Sequence, residues 1–262
     1  GTENDPALNL AFDYLSYLGT DKMSAEQIAS EMYAIACSFG LSAGTNQSWI
    51  EISGLSENMG KAMEIVEGLI AGAQPNEEIL QNLKGDMIKS RADAKLNQSR
   101  CFGALQRYMI YGSDFIRRTT LTDPALQGLT SEQLLAKIGD LMGKQHEVLY
   151  YGPQDEAEVK AALTAHHKVA ADLQPLEKKF STLQPTDENK VMLAQYDAKQ
   201  LYYLQYANLG KQFDVAADPE ITLYNEYFGG GMNSVVFQEM REARGLAYTC
   251  LLYTSPSPRD CS

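Results

Sequence analysis

Histidine is scarce in this chain: three residues in 262, at positions 146, 166 and 167. Hydrolysis at zinc needs two imidazoles on one helix face and a carboxylate nearby as proton acceptor. His146-Glu147 starts like such a motif, but Tyr150 stands where the second imidazole would fall. His166 and His167 are adjacent and point in different directions, so they are expected as solvated residues at a helix end, where histidine suits the dipole. No metal site and no cofactor site are expected in the chain itself. Cysteine is nearly as thin. Cys37 and Cys101 sit among apolar neighbours, no Cys-x-x-Cys occurs, and two buried structural thiols are the expectation, with a disulfide between them left open.

Other chemistries are missing too. There is no G-x-S-x-G, and neither thiol has a basic partner nearby in sequence. Gly229-Gly230-Gly231 precedes a helical pattern but lacks a following Gly-Lys-Ser/Thr and follows no strand, which makes it a poor phosphate cradle. A turn at positive φ between two packed helices is the simpler expectation. With 22 Lys and Arg against 34 Asp and Glu, the net charge is −12. No basic cluster is present to release counterions from a duplex, so nucleic acid is not an expected partner. The acidic surface suits solubility first and basic peptides second. No apolar run approaches the roughly 18 residues of a membrane-spanning helix, and the sequence leaves the compartment open.

What is present is an ordinary globular composition, 44% hydrophobic and 21% charged, over a length sufficient for one large domain or two smaller ones. Apolar periodicity predicts helices over 6–18, 24–39, 59–73, 77–96, 102–111, 131–141 and 155–165, with Ser24 and Ser131 as caps. Residues 41–55 predict strand, turn and strand, and His146–Tyr151 a buried strand. Residues 112–129 predict a loop. Lys190–Tyr196 and Gln200–Ala207 predict a hairpin, and 221–228 the end of a helix. A further helix runs to about Arg244 from a cap at Asn233. Helices around short strands give an α+β fold. The division is one domain over 1–167, a Pro-containing linker over 168–189, and the beginning of a second domain over 190–249. Residues 250–262 (CLLYTSPSPRDCS) resemble, over their first eleven positions, the translation of a DNA-library adapter. They are set aside as foreign, and the chain is taken as a piece of a longer product.

The richest stretch is Phe228–Tyr248, FGGGMNSVVFQEMREARGLAY. It joins a glycine hinge to an amphipathic helix and ends with Arg241 and Tyr248. Taken alone, Arg241 is a salt-bridging residue beside an apolar seam and Tyr248 a core residue with a bonded hydroxyl. The segment resembles the one opening the second half-repeat in the pitrilysin/insulinase family of zinc metallopeptidases, which includes mitochondrial processing peptidase. There a glycine-rich turn leads to an aromatic-Gln-Glu helix and then Arg-Glu-x-x-Gly-Leu-Ala-Tyr. The resemblance implies half-repeat domains with helices packed on a mostly antiparallel sheet. It also implies that Arg241 and Tyr248 contact substrate backbone across a closed chamber and help stabilise the developing oxyanion.

The block Leu10–Ile28 resembles, less closely, the family's first-helix segment with its inverted H-x-x-E-H zinc motif. Registered on Gly19-Thr20, the histidines fall at Leu10 and Tyr14 and the glutamate at Asp13. Both imidazoles are missing. The resemblance therefore implies an inactive third domain joined to the start of a fourth, as in long single-chain peptidases of Bacteroidetes-type bacteria. Zinc would be held in an absent N-terminal half, and the substrate would be a peptide or unfolded polypeptide. The alternative is a non-catalytic scaffold or binding subunit that pairs with an active zinc-bearing partner.

Overall fold

The computed structural model describes residues 5–44, 47–175, 183–208, 210 and 214–247. The chain divides into two compact units, Gly1–Gln184 with Lys190–Leu204, and Pro185–Asn189 with Gln205–Ser262.

The first unit is organised around α1 (Pro6–Leu15), capped by Asp5 with Pro6 at its first position. Ala7, Leu10, Ala11, Phe12, Tyr14 and Leu15 are all buried, so α1 is apolar nearly all round, as a helix inside a core must be. Around it lie α2 (Ala25–Ala34), α3 (Met59–Gly72), α4 (Glu77–Lys95), α6 (Asp123–Gly128) and α7 (Ser131–Met142). Ile28, Ala62, Val66, Leu69, Leu80, Leu126, Leu134 and Ile138 from these helices complete the core. Between α4 and α6 runs α5 (Gln98–Thr119), and α8 (Glu156–His166) packs on α3. The capping box at Ser24 and Gln27 is present as the sequence implies.

Strands β1 (Cys37–Ala43) and β2 (Ser48–Gly54) pair antiparallel with Leu41 opposite Ile50. Along β1 the inward residues alternate, with Cys37 and Ala43 buried and Phe39 and Leu41 half-buried. Trp49 and Ile50 of β2 remain exposed. The architecture is thus α+β, helices on a small antiparallel sheet.

Several local expectations are corrected. The second helix stops at Ala34 rather than near Phe39, because Ala36 turns to φ 51 and Asn58 Nδ2 donates to the freed carbonyl of Ile35 at 2.8 Å. The pull on Cys37–Gly40 is the ladder with β2, a long-range partner that local periodicity ignores. Residues 112–129 are largely helical: at Gly112 (φ 77) the backbone of α5 leaves helical geometry, and a second helical stretch follows it to Thr119. Beyond the kink, Asp114 bonds Arg117 at 2.6 Å and Arg118 at 2.8 Å, one turn on. Both guanidiniums, Arg117 first, hold the Asp114 carboxyl below its usual range. The cap of α7 is Thr130, with Ser131 inside the helix.

His146–Tyr151 forms no strand and is exposed, and neither arm of the hairpin expected at 190–207 lies in a ladder. Apolar content alone does not make a strand; a partner must satisfy the backbone, and among the described residues only β1 and β2 form a continuous ladder. The two thiols are free, Cys37 buried and Cys101 half-buried, so the disulfide left open from sequence is absent. Cys250, Cys261 and the rest of the tail set aside at 250–262 lie outside the described residues.

Candidate functional site

The glycine-hinge segment belongs to the second unit. Helix α9 (Asp218–Phe228) carries Pro219 in its first turn and ends at Gly229, whose amide returns to the carbonyl of Asn225 at 2.8 Å. The three glycines are not at positive φ, which corrects the sequence expectation. What requires glycine is proximity: a Cβ on Gly230 would lie 2.7 Å from Cα of Glu226. Ser234, not Asn233, caps the next helix through the amide of Phe237, and α10 (Val235–Phe237) widens at once into a π-helical turn over Gln238–Ala243. Gly245, at φ +59, supplies the left-handed residue that stops it. The amides of Gly245 and Leu246 then satisfy the carbonyls of Arg241 and Met240 at 3.0 and 2.8 Å.

Arg241 sits on the π turn. Its guanidinium lies over the ring of Phe237, 4.8 Å from the centroid, within the range of a cation–π contact. Its Nε is 3.6 Å from a carboxylate oxygen of Glu242. The side chain is about two-thirds shielded, so it is held in place by protein yet still reachable by a ligand. Glu239 pairs with Arg244 at 3.6 Å. Tyr248 lies outside the described residues, so the geometry of an Arg241–Tyr248 pair is not on view.

In the first unit, the positions registered on the zinc motif hold a different arrangement. Leu10 and Tyr14 are buried one turn apart on α1, while Asp13 is turned outward, its carboxyl raised above the usual range by partial desolvation. Asn76 N–H donates to Tyr14 Oη at 2.6 Å, and Tyr14 lies 2.9 Å from Ser131 Oγ. Ser131 in turn donates to Glu77 Oε2 at 2.6 Å. The carboxylate only accepts, so the Ser131 hydrogen points to Glu77, while the single phenol hydrogen is shared between Ser131 Oγ and the Asn76 carbonyl at 3.0 Å. The Ser131 hydroxyl, followed by the Gln81 amide, holds the Glu77 carboxyl below its usual range. A leucine and a hydrogen-bonded phenol do not fit zinc. Among the described residues, no three His, Cys, Asp or Glu are gathered to hold a metal ion.

Two features escaped sequence reasoning. The first is an open polar cleft of about 380 Å³ lined by Asp86, Lys89, Ser90 and Asp93 of α4, Arg100 of α5 and the α5 cap Asn97. The second is a meeting of His146 and His167 with Glu67, described further below. No helix among the described residues is long and apolar enough to cross a membrane.

The sequence family described as the peptidase M16 inactive domain matches residues 129–260. The chain belongs to that family, which bears out the metallopeptidase resemblance seen in its residues. It is 24% identical to an uncharacterized zinc protease of Streptomyces coelicolor, over 97% of this chain and 57% of the relative. The chain thus spans little more than half the length of that curated relative. Its fold is similar to the crystal structure of a peptidase M16 inactive domain from Pseudomonas fluorescens, with a TM-score of 0.63 at 16% identity, covering 94% of this chain and 60% of the other. It is also similar to the ferredoxin protease FusC in complex with Arabidopsis ferredoxin. There the TM-score is 0.56 at 11% identity, over 68% of this chain and 20% of the protease.

Proposed function

We propose that this chain is the non-zinc-binding portion of a zinc metalloendopeptidase that cleaves peptides or unfolded polypeptides in a closed chamber. The first unit supplies chamber wall, and Arg241, with Tyr248, supplies contacts to the substrate backbone. Zinc and its general-base carboxylate come from a separate half or from an active partner subunit. The observation that carries this reading is the setting of Arg241: a shielded guanidinium fixed over Phe237 on a glycine-bounded π turn, in a family matched across that segment. Unusual turns of this kind are frequent at functional sites. The relatives' description as zinc proteases, and a structural neighbour bound to ferredoxin, support a proteolytic role and a polypeptide substrate.

The chain alone, supplied with zinc and a quenched peptide, should show no EDTA-sensitive turnover; measurable turnover would overturn the assignment of the metal to another part. In the complete zinc-bearing protein, Arg241→Ala should lower kcat/KM roughly a hundredfold to a thousandfold, as loss of one preorganised donor does. Thermal stability should stay nearly unchanged. The scaffold reading expects the reverse, lower stability with specific activity retained.

A further inference from the structure

Gly60, Glu64 and Glu67 recur at i, i+4 and i+7 along α3 and so share one face. The end of α8 docks there. The His166 ring covers Gly60 so closely that a Cβ would come within 2.6 Å of its Nε2. Nδ1 of His166 is 3.0 Å from Glu64 Oε1. His167 Nδ1 is 2.5 Å from Glu67 Oε1, and the Lys168 amide donates to Glu67 Oε2 at 2.9 Å. His146, from the segment after α7, closes the arrangement. Its Nε2 lies 2.8 Å from His167 Nε2, and its Nδ1 lies 2.9 Å from the carbonyl of Lys144.

The hydrogens on these rings can be counted. A carbonyl oxygen only accepts, so His146 Nδ1 carries a hydrogen. An ionised carboxylate only accepts, so His167 Nδ1 carries one as well. A third must lie between the two Nε2 atoms. Three hydrogens on two imidazoles make one positive charge, which Glu67 balances. Glu67 and His167 are largely shielded, each about one-sixth exposed, so the pair is screened less than a surface contact.

We propose that His146, His167 and Glu67 form a one-proton lock that fastens α8 to α3 only while the two imidazoles share a single charge. One proton more sets two N–H groups against each other, and one fewer leaves two facing lone pairs. The remaining charged groups nearby in the chain are Glu64, paired with His166, Lys144 with Asp140 at 3.9 Å, Glu147 beside His146, and Lys168 beside His167. None replaces the missing or surplus proton.

Linkage gives the sign. In acid the unfolded chain holds two imidazolium ions and the locked state one, so stability falls as pH decreases. In base the locked state holds one and the unfolded chain none, so stability falls as pH rises. The maximum lies between these two falls.

The test is urea unfolding of the full chain from pH 5 to 8.5, followed by the fluorescence of its one tryptophan, Trp49. The midpoint should pass through a maximum, roughly 0.5 M above the values at either extreme. His146→Leu, at an exposed position that tolerates change, should abolish the acid-side fall and leave a one-sided decline as pH rises. Nitrogen-15 spectra of the rings should show three N–H groups on the pair at the maximum. A bell retained in His146→Leu, or two imidazoles that titrate independently in the wild-type chain, would overturn the lock.

Discussion

Truncating Tyr14 to alanine should cost the first unit about 3–5 kcal/mol, the range for deleting a large, fully buried aromatic side chain. The ring is completely buried in α1, and its hydroxyl serves Asn76 and Ser131 at once. Tyr14→Phe isolates the polar part: the ring remains, the Asn76 amide loses its acceptor, and the loss should be about 1–3 kcal/mol. Urea unfolding read at Trp49 measures both. An alanine variant within about 1 kcal/mol of wild type would mean that the core closes over the gap and the relay contributes little. The relay also has a pH signature. Glu77 titrates below its usual range in the folded chain, so its contribution is complete above the ordinary glutamate pKa. It is lost as pH falls through the lower folded value. This acid loss should diminish in Ser131→Ala, which removes the hydroxyl first responsible for it.

The second large effect belongs to Lys84. Its side chain is buried on α4, and its ammonium donates to the carbonyls of Gln127 at 3.1 Å and Leu129 at 2.6 Å. These oxygens close α6, a helix of only six residues whose negative end the lysine neutralises. Lys84→Met preserves most of the volume but leaves two inward carbonyls unbonded, at about 2–4 kcal/mol. Amide exchange over Asp123–Gly128 should accelerate more than exchange in α2, which Lys84 does not touch. Uniform acceleration across both helices would sink the idea that Lys84 acts locally as a cap.

Much of the helical frame was legible in the residues because its signals are local. Ser24 and Gln27 announce α2, Pro6 opens α1, and Pro75 with Asn76 precedes α4. What failed depends on partners distant in sequence. The boundary at Ala36 is drawn by β2, a partner met only on folding. The apolar run at 146–151 lacked the neighbour that would have made it a strand. The segment around Arg241 was readable as a string of letters, whereas the π turn and the Phe237 contact that hold the side chain were not. The histidines illustrate the limit most sharply. His166 and His167 suggested solvent exposure at a helix end and His146 a buried strand, and only folding brings His167 to Glu67 across 100 positions.

The wide turn at Gln238–Ala243 has a consequence for phase. Each residue in an ordinary helix advances the chain by about 100°, so a turn holding an extra residue offsets everything beyond it by about that angle. The direction in which Arg241 leaves the backbone, and the side on which Gly245 reverses the chain, are therefore set by how many residues occupy the turn. A stretch governed by such counting accommodates changes of side chain more readily than changes of length.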